Sequence, residues 1–271
     1  MSERLDVALV QRGLARSRTA AQVMIAEGEV RLNGHTVVKP ATQVLPADDL
    51  AVVPVHRWVS RGAQKLLGAL DDLDPDGQLV RGAVVLDAGA STGGFTQVCL
   101  ERGARRVHAV DVGHDQLAPS LRSDPRVVVT EGFNLRHLTP RTLPEPIDLV
   151  VCDVSFISLR LLLGPLLSVL GPQGRAMLMV KPQFEVGRTG VREGLVTDAA
   201  ARADAVAGVL WAAWDAGLGT VGVLASPLAG THGNREFLVH LRPRAVGGDG
   251  GTETGNPTEY LQAVNRLAGA T

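Results

Sequence analysis

Aromatic side chains are scarce in this chain: they make up 3% of it, with a single Tyr. That scarcity excludes a nucleic-acid platform built from many stacked rings. Cysteine is scarcer still. Cys99 and Cys152 are the only two, each inside an apolar run, and they read as small core residues, not as a disulfide or a metal site. The net charge is −1, so no global field draws in a polyanion and any basic patch must be local. Long apolar runs are missing too. A membrane span needs ~18 such residues, whereas the stretch 159–170 is short and carries Arg160. Met1 to Asp6 lack the apolar stretch of a signal peptide. The expectation is a cytoplasmic protein with no membrane or metal partner. What is abundant is core material: 45% of the 271 residues are hydrophobic, enough for one large or two modest domains.

The organising stretch is Val84-Val85-Leu86-Asp87-Ala88-Gly89-Ala90-Ser91-Thr92-Gly93-Gly94-Phe95. A buried strand ends in an acid, breaks into a glycine-rich turn and re-enters a helix. Gly89 permits a tight turn and close approach to a ligand, and Gly93 and Gly94 do the same where the helix begins. The dinucleotide fingerprint is G-x-G-x-x-G; here an acid stands two residues before the first glycine. A carboxylate is awkward beside a pyrophosphate but suits an ammonium group. The expected ligand is therefore S-adenosylmethionine, with Asp87 and Gly89 flanking its methionyl end and Ser91, Gly93, Gly94 and Phe95 lining the loop. A second acid should close the next strand and hold the ribose, and Asp111 stands roughly 20 residues on.

Residues 1–55 read as a separate small unit. Leu5, Ala8, Leu9 and Arg12 mark a helix that stops at Gly13. Ser17 or Thr19 caps a second helix through Ile25, and Asn33-Gly34 signals a hairpin. Arg4, Arg12, Arg16, Arg18, Arg31 and Lys39 concentrate here. Such charges fit either a solvated helix face or a local phosphate-binding patch. The run GLARSRTAAQVMIAEGEVRLNG resembles the S4 RNA-binding domain. The resemblance implies phosphate contacts from Arg16 and Arg18 first, then Arg4 and Arg12, with Lys39 in the same patch. Residues 56–62 form a linker whose Trp58 packs at a domain interface or signals RNA docking, and the domain 63–271 follows.

In that domain strands are expected at 83–87, 106–110, 126–130, 147–152, 175–180, 219–225 and 235–241. Helices are expected near 93–102, 114–121, 158–170 and 198–216, with a further short one from Pro257. This alternation implies a mostly parallel seven-stranded sheet with helices on both faces and ligands at the carboxyl ends of the strands. Asp153, Lys181 and Glu236 fall at that edge. Each alone fits a structural ion pair equally well; together with the glycine loop they point to a proton-handling site. The Gly/Thr-rich stretch 245–257 reads as disordered.

The stretches WVSRGAQKL, LDAGASTGGFT, DVSFISL, VKPQFEVG and GNREFL resemble the ribosomal-RNA-methyltransferase-J-like family. With the S4 module in front, the whole chain resembles the TlyA family of rRNA cytidine 2′-O-methyltransferases, also described as hemolysins. The resemblance implies a Rossmann-like class I methyltransferase, ribosomal RNA in ribosomal subunits as partner, and a Lys65-Asp153-Lys181-Glu236 tetrad. It implies Lys181 as base and Lys65 as the group that positions the ribose hydroxyl. A lysine serves as base only with its pKa lowered from about 10.4, by burial or a second cation. Asn134, after the third strand, is expected near the adenine. Phe156 either packs in the core or stacks an extruded base. Two competing readings are a membrane-active, hemolysin-like protein and a non-catalytic RNA-binding scaffold.

Overall fold

The computed structural model describes residues 2–26, 28–53, 58–187, 190–230, 233–244 and 254–270. The chain divides into two compact units, 1–57 and 58–271. The first two residues of the expected linker, 56 and 57, lie outside the described residues; Trp58 packs against the core of the second unit.

The first unit runs β1 (Glu3–Arg4), α1 (Leu5–Gln11), α2 (Arg18–Ala26), β2 (Val30–Leu32), β3 (His35–Thr36), β4 (Gln43–Val44) and β5 (Leu50–Val52). Leu5, Ala8 and Leu9 on α1 pack on Ala21 and Ile25 of α2 and on Val30 and Val44, giving the unit its own small core. β1 pairs with β4, and β3-β2-β5 form an antiparallel sheet. Asn33 and Gly34 both have positive φ, +50° and +83°, the backbone a two-residue hairpin turn demands.

The second unit opens with α3 (Gly62–Leu73) and continues as β6 (Val84–Ala88), α4 (Gly94–Glu101), β7 (Arg106–Val110), α5 (Pro119–Arg122) and β8 (Val127–Thr130). Then come β9 (Ile147–Cys152), α6 (Leu163–Val169), β10 (Leu170–Val180), α7 (Pro182–Glu185), α8 (Ala199–Asp215), β11 (Leu218–Ala225), β12 (Phe237–Pro243) and α9 (Pro257–Ala268). The seven strands order as β11-β12-β10-β9-β6-β7-β8. β12 runs antiparallel to both its neighbours, and the pairs among β10, β9, β6, β7 and β8 are parallel. Strand order reverses between β6 and β9, the switch point where such sheets open a crevice at their carboxyl edge.

Side chains alternate across the sheet as a pleat requires. Val84, Leu86, Val150, Cys152, Leu178 and Val180 join the core under α6, α8 and α9. Val85, Leu149, Val151, Met177 and Met179 join the core under α3 and α4. By the same parity Asp87 belongs to the α3–α4 face.

Two expected helices come out shorter. The one expected over 114–121 is reduced to α5, because Pro119 holds Ala118 extended (ψ 137°) and the Asp111 carboxylate binds the Gly113 N–H in a turn. The one expected over 158–170 divides into a 3₁₀ turn, Leu159–Leu161, and α6; Pro165 falls in the first turn of α6, where a missing N–H costs no bond. Leu170 is already strand. The disorder expected for 245–257 concerns residues that lie largely outside those described; Asn256 and Glu259 form a reciprocal cap that starts α9.

Candidate functional site

The loop after β6 is tied down by its own backbone. Gly89 N–H donates to Val110 O at 2.8 Å, and Gly89 has φ +88°. A Cβ there would stand 2.9 Å from Val154 Cγ1, so only glycine lets this loop press on the segment after β9. Ser91 N–H donates to Asp111 Oδ2 at 2.8 Å, and Gly113 N–H to Asp111 Oδ1 at 2.7 Å. The Asp111 carboxylate is thus fixed at the end of β7 with lone pairs to spare. Ser91 Oγ donates to Gln116 Oε1 at 3.1 Å.

A cleft of about 580 Å³ opens here, within the range of small-molecule sites. Gly89, Ser91, Asp111, Asn134, Asp153 and Phe156 line it together with Gln116, Ser155 and an apolar wall of Val112, Phe133, Leu135, Ile157 and Leu162. Asn134 Oδ1 accepts from Arg136 N–H and caps the turn that follows.

Four residues expected against the cofactor are not among those lining the cleft. Asp87 is fully buried beneath α4, where Thr96 Oγ1 donates to its Oδ2 at 2.6 Å and Oδ1 has no hydrogen-bond partner among the described residues. Burial pushes the Asp87 carboxyl up to about 7. Gly93, with φ +97°, is the N-cap of α4, and a Cβ on it would meet Leu121 and Leu117. A Cβ on Gly94 would fall 2.9 Å from Ala63 N, so Gly94 lets α4 pack on the start of α3. Phe95 is buried in the α3–α4 core. These residues shape the loop from behind.

Beside the cleft two lysine–carboxylate pairs converge. Lys65 on α3 places Nζ 2.5 Å from Glu236 Oε2, both side chains nearly enclosed. Lys181 Nζ lies 2.7 Å from Asp153 Oδ1, an ion pair off the line of a hydrogen bond, and donates to Ser155 Oγ at 2.9 Å. The sheet brings the pairs together. Val180 pairs with Phe237, so one step further along this register sets Lys181 opposite Glu236. β9 lies on the other side of β10 with Cys152 opposite Leu178, so the segment that follows, Asp153 to Ser155, runs toward Lys181. A Cβ added to Gly62, one turn before Lys65, would sit 3.8 Å from Asp153 Oδ2, so α3 starts against the same spot. Residues 194–196 are pinned nearby: Asn234 Nδ2 donates to Gly194 O at 2.7 Å, and its Oδ1 accepts from Val196 N–H at 3.0 Å.

The FtsJ-like methyltransferase family matches residues 58–243, across the whole of this constellation. The chain belongs to the FtsJ-like methyltransferase family. The S4 domain matches residues 3–50 of the same chain. A 16S/23S rRNA (cytidine-2′-O)-methyltransferase TlyA of Mycobacterium tuberculosis is 50% identical over 88% of this chain and 89% of its own length. Hemolysin A of Brachyspira hyodysenteriae is 36% identical over 88% of this chain and 99% of its own. The solved structure of a hemolysin candidate from Streptococcus thermophilus, 35% identical, superposes with a TM-score of 0.76 over 99% of this chain and 96% of that one.

In this FtsJ-like methyltransferase several side chains at the site escaped the sequence reading. Ser155 and Gln116 line the cleft, and Thr96 holds Asp87. Ser155 and Thr96 stand in quoted motifs, but a lone hydroxyl carries no signal until its partner is seen. Core packing for Phe156 is overturned. The ring is 91% exposed and touches Phe184, centroids 5.3 Å apart. Its φ of +65° turns it out of the sheet edge.

In the N-terminal unit the expected arginines divide. Arg16, Arg18 and Lys39 are exposed. Asp6, fully buried, accepts from Arg4 Nε (2.9 Å), Arg18 Nε (2.8 Å) and Gln22 Nε2 (2.9 Å). The Arg4 bond leads in holding the Asp6 carboxyl well below the ordinary range, against the opposing effect of burial. Arg12 is committed internally: its guanidinium donates to Asp48 O at 2.7 Å and Leu45 O at 2.9 Å. Among the described residues no helix is long and apolar enough to cross a membrane, and no group of three or more His, Cys, Asp and Glu is placed to hold a metal.

Proposed function

We propose that the chain transfers a methyl group from S-adenosylmethionine to the ribose 2′-oxygen of cytidines in ribosomal RNA, in the cytoplasm. The observation that carries this reading is the meeting of the Lys65–Glu236 and Lys181–Asp153 pairs beside the cleft after β6. The cleft suits the cofactor: an anchored carboxylate for ribose hydroxyls at Asp111, a glycine floor at Gly89 and an apolar wall for a base.

Bound there, S-adenosylmethionine supplies an electrophilic methyl on a sulfonium. Asp111 holds the cofactor ribose, and Asn134 stands at the adenine end. Lys181, as the neutral amine, accepts the proton that leaves the target hydroxyl and becomes the ammonium that Asp153 pairs with. Lys65 fixes that hydroxyl and stabilises the charge growing on its oxygen. Asp153 and Glu236 aim the two lysine side chains. Holding the reactants in line contributes at least as much as proton transfer. The N-terminal unit, through Arg16 and Arg18 first, binds RNA phosphates, and Phe156 stacks on the target base.

The test is methylation by the pure protein of ribosomal subunits from cells lacking its gene. Nucleoside mass spectrometry should then find 2′-O-methylcytidine, made only with cofactor present; its absence from both subunits overturns the reading. The hemolysin name of two relatives favours a second reading, membrane lysis, which dye release from liposomes by pure protein would reveal.

A further inference from the structure

The segment between β9 and the 3₁₀ turn is held at both ends by α7 and the residue before it. At one end Lys181 donates to Ser155 Oγ. At the other Glu185, the last residue of α7, accepts from Ser158 Oγ and from Leu159 N–H, each at 2.7 Å. The Arg160 guanidinium lies 3.5 Å from the same carboxylate, and the Glu185 side chain is 1% exposed. Hydrogen bonds to a buried carboxylate are charge-assisted and among the strongest a loop can have.

Between these anchors stands Phe156. A bulky side chain in the left-handed region is a true outlier, and an exposed ring gains nothing from burial. Such a conformation persists only where its surroundings over-determine it, and it clusters where ligands bind. Nothing in the sheet or its two cores needs Phe156 in this position, whereas the cleft has it on its rim.

We propose that Glu185 is a positioning residue for the RNA substrate: by clamping Ser158 and Leu159 it holds Phe156 out at the rim, where the ring meets the target nucleobase. The inference rests on the RNA-methylation reading above. Glu185 touches neither cofactor nor RNA; it acts through the loop.

The test is steady-state methylation by the full chain, with ribosomal subunits from cells lacking its gene as substrate. Phe156→Ala raises KM for the subunits roughly tenfold, the size of one lost base–aromatic stack. Glu185→Ala raises it similarly, and by more than it weakens S-adenosylmethionine binding measured by calorimetry, because Glu185 does not itself line the cleft. Glu185→Gln, which keeps an acceptor for Leu159 N–H, recovers most of the loss. The double variant is no worse than Phe156→Ala alone, because both act on one contact. A parental KM in Glu185→Ala, or a double variant showing the product of the two single effects, overturns the proposal. A parental KM in Phe156→Ala removes the stacking reading itself and the inference with it. Should Glu185→Ala fail to fold, Ser158→Ala removes one of the clamping bonds and raises KM about threefold, the equivalent of a single hydrogen bond; a parental value there is equally fatal.

Discussion

Lys65 Nζ and Glu236 Oε2 stand 2.5 Å apart although 171 residues separate them in the chain, and both side chains are almost wholly enclosed. Removing one partner of such a pair leaves a charge buried without compensation. Glu236→Ala should therefore cost about 3 kcal/mol or more, and Glu236→Gln, which still accepts a hydrogen bond, clearly less. Urea denaturation measures both. Equal stability of Glu236→Ala and the parent would mean that Lys65 reaches water.

Asp87 titrates in the opposite sense from a salt-bridged acid. Its carboxyl is raised to about 7 by burial, with Asp153 and Asp111 pushing the same way and the Thr96 hydroxyl opposing. Between pH 4 and 7 the unfolded chain has already lost this proton while the folded chain keeps it. The contribution to stability is whole below pH 4 and is lost as pH rises through 7, a change on the order of 3 kcal/mol. Asp87→Asn keeps the bond from Thr96 and removes the titration, so its stability relative to the parent should grow from pH 5 to pH 8. An unchanged difference across that range would contradict the assignment.

His240, on β12, has the mirror-image effect. It is buried between Met177 and Gly222, and neither ring nitrogen has a hydrogen-bond partner among the described residues. Burial lowers its pKa to about 4, and Arg175 and Arg242 add to the shift. From pH 6.5 down to 4 the unfolded chain takes up a proton that the folded chain refuses, so stability falls with pH by about 2–3 kcal/mol over that window. His240→Leu should flatten this limb of the pH–stability curve. A limb of unchanged steepness would place the acid sensitivity elsewhere.

The N-terminal arginines should separate into two kinds. Arg12 ties α1 to the Leu45–Asp48 turn, so Arg12→Ala should lower stability by about 1–2 kcal/mol. Replacing Arg16 and Arg18 together, with stability measured alongside because Arg18 also holds the buried Asp6, should weaken rRNA binding and reduce the salt dependence of log K by about 2. Filter binding at several salt concentrations checks this. Parental affinity at physiological salt would remove the patch.

These contrasts show where the sequence was legible. Alternating apolar runs and the glycine loop give the sheet and the position of the cleft, because pleat and turn leave local marks. Lys65 and Glu236 carry no mark of each other, since their meeting depends on how α3 crosses the sheet; Glu236 stood out by its place at the sheet edge, Lys65 only by resemblance. Asp87 was expected at the ligand because a carboxylate before a glycine turn suits an ammonium group. The parity of β6 turns it under α4 instead. Phe156 left two readings open because an aromatic beside a strand normally packs. Only the backbone angle, which no residue type encodes, turns it outward. Arg12 looks like any other cation of its patch until the carbonyls of Leu45 and Asp48 are seen around it.

The most direct measurement is transfer of labelled methyl from S-adenosylmethionine to ribosomal subunits by Lys181→Ala, with cofactor affinity followed by calorimetry in parallel. Loss of a general base and its hydrogen bonds should slow transfer by at least about 10²–10⁴, with S-adenosylmethionine still bound. Transfer at the parental rate would contradict the account, since the proton of the ribose hydroxyl would then leave by another route.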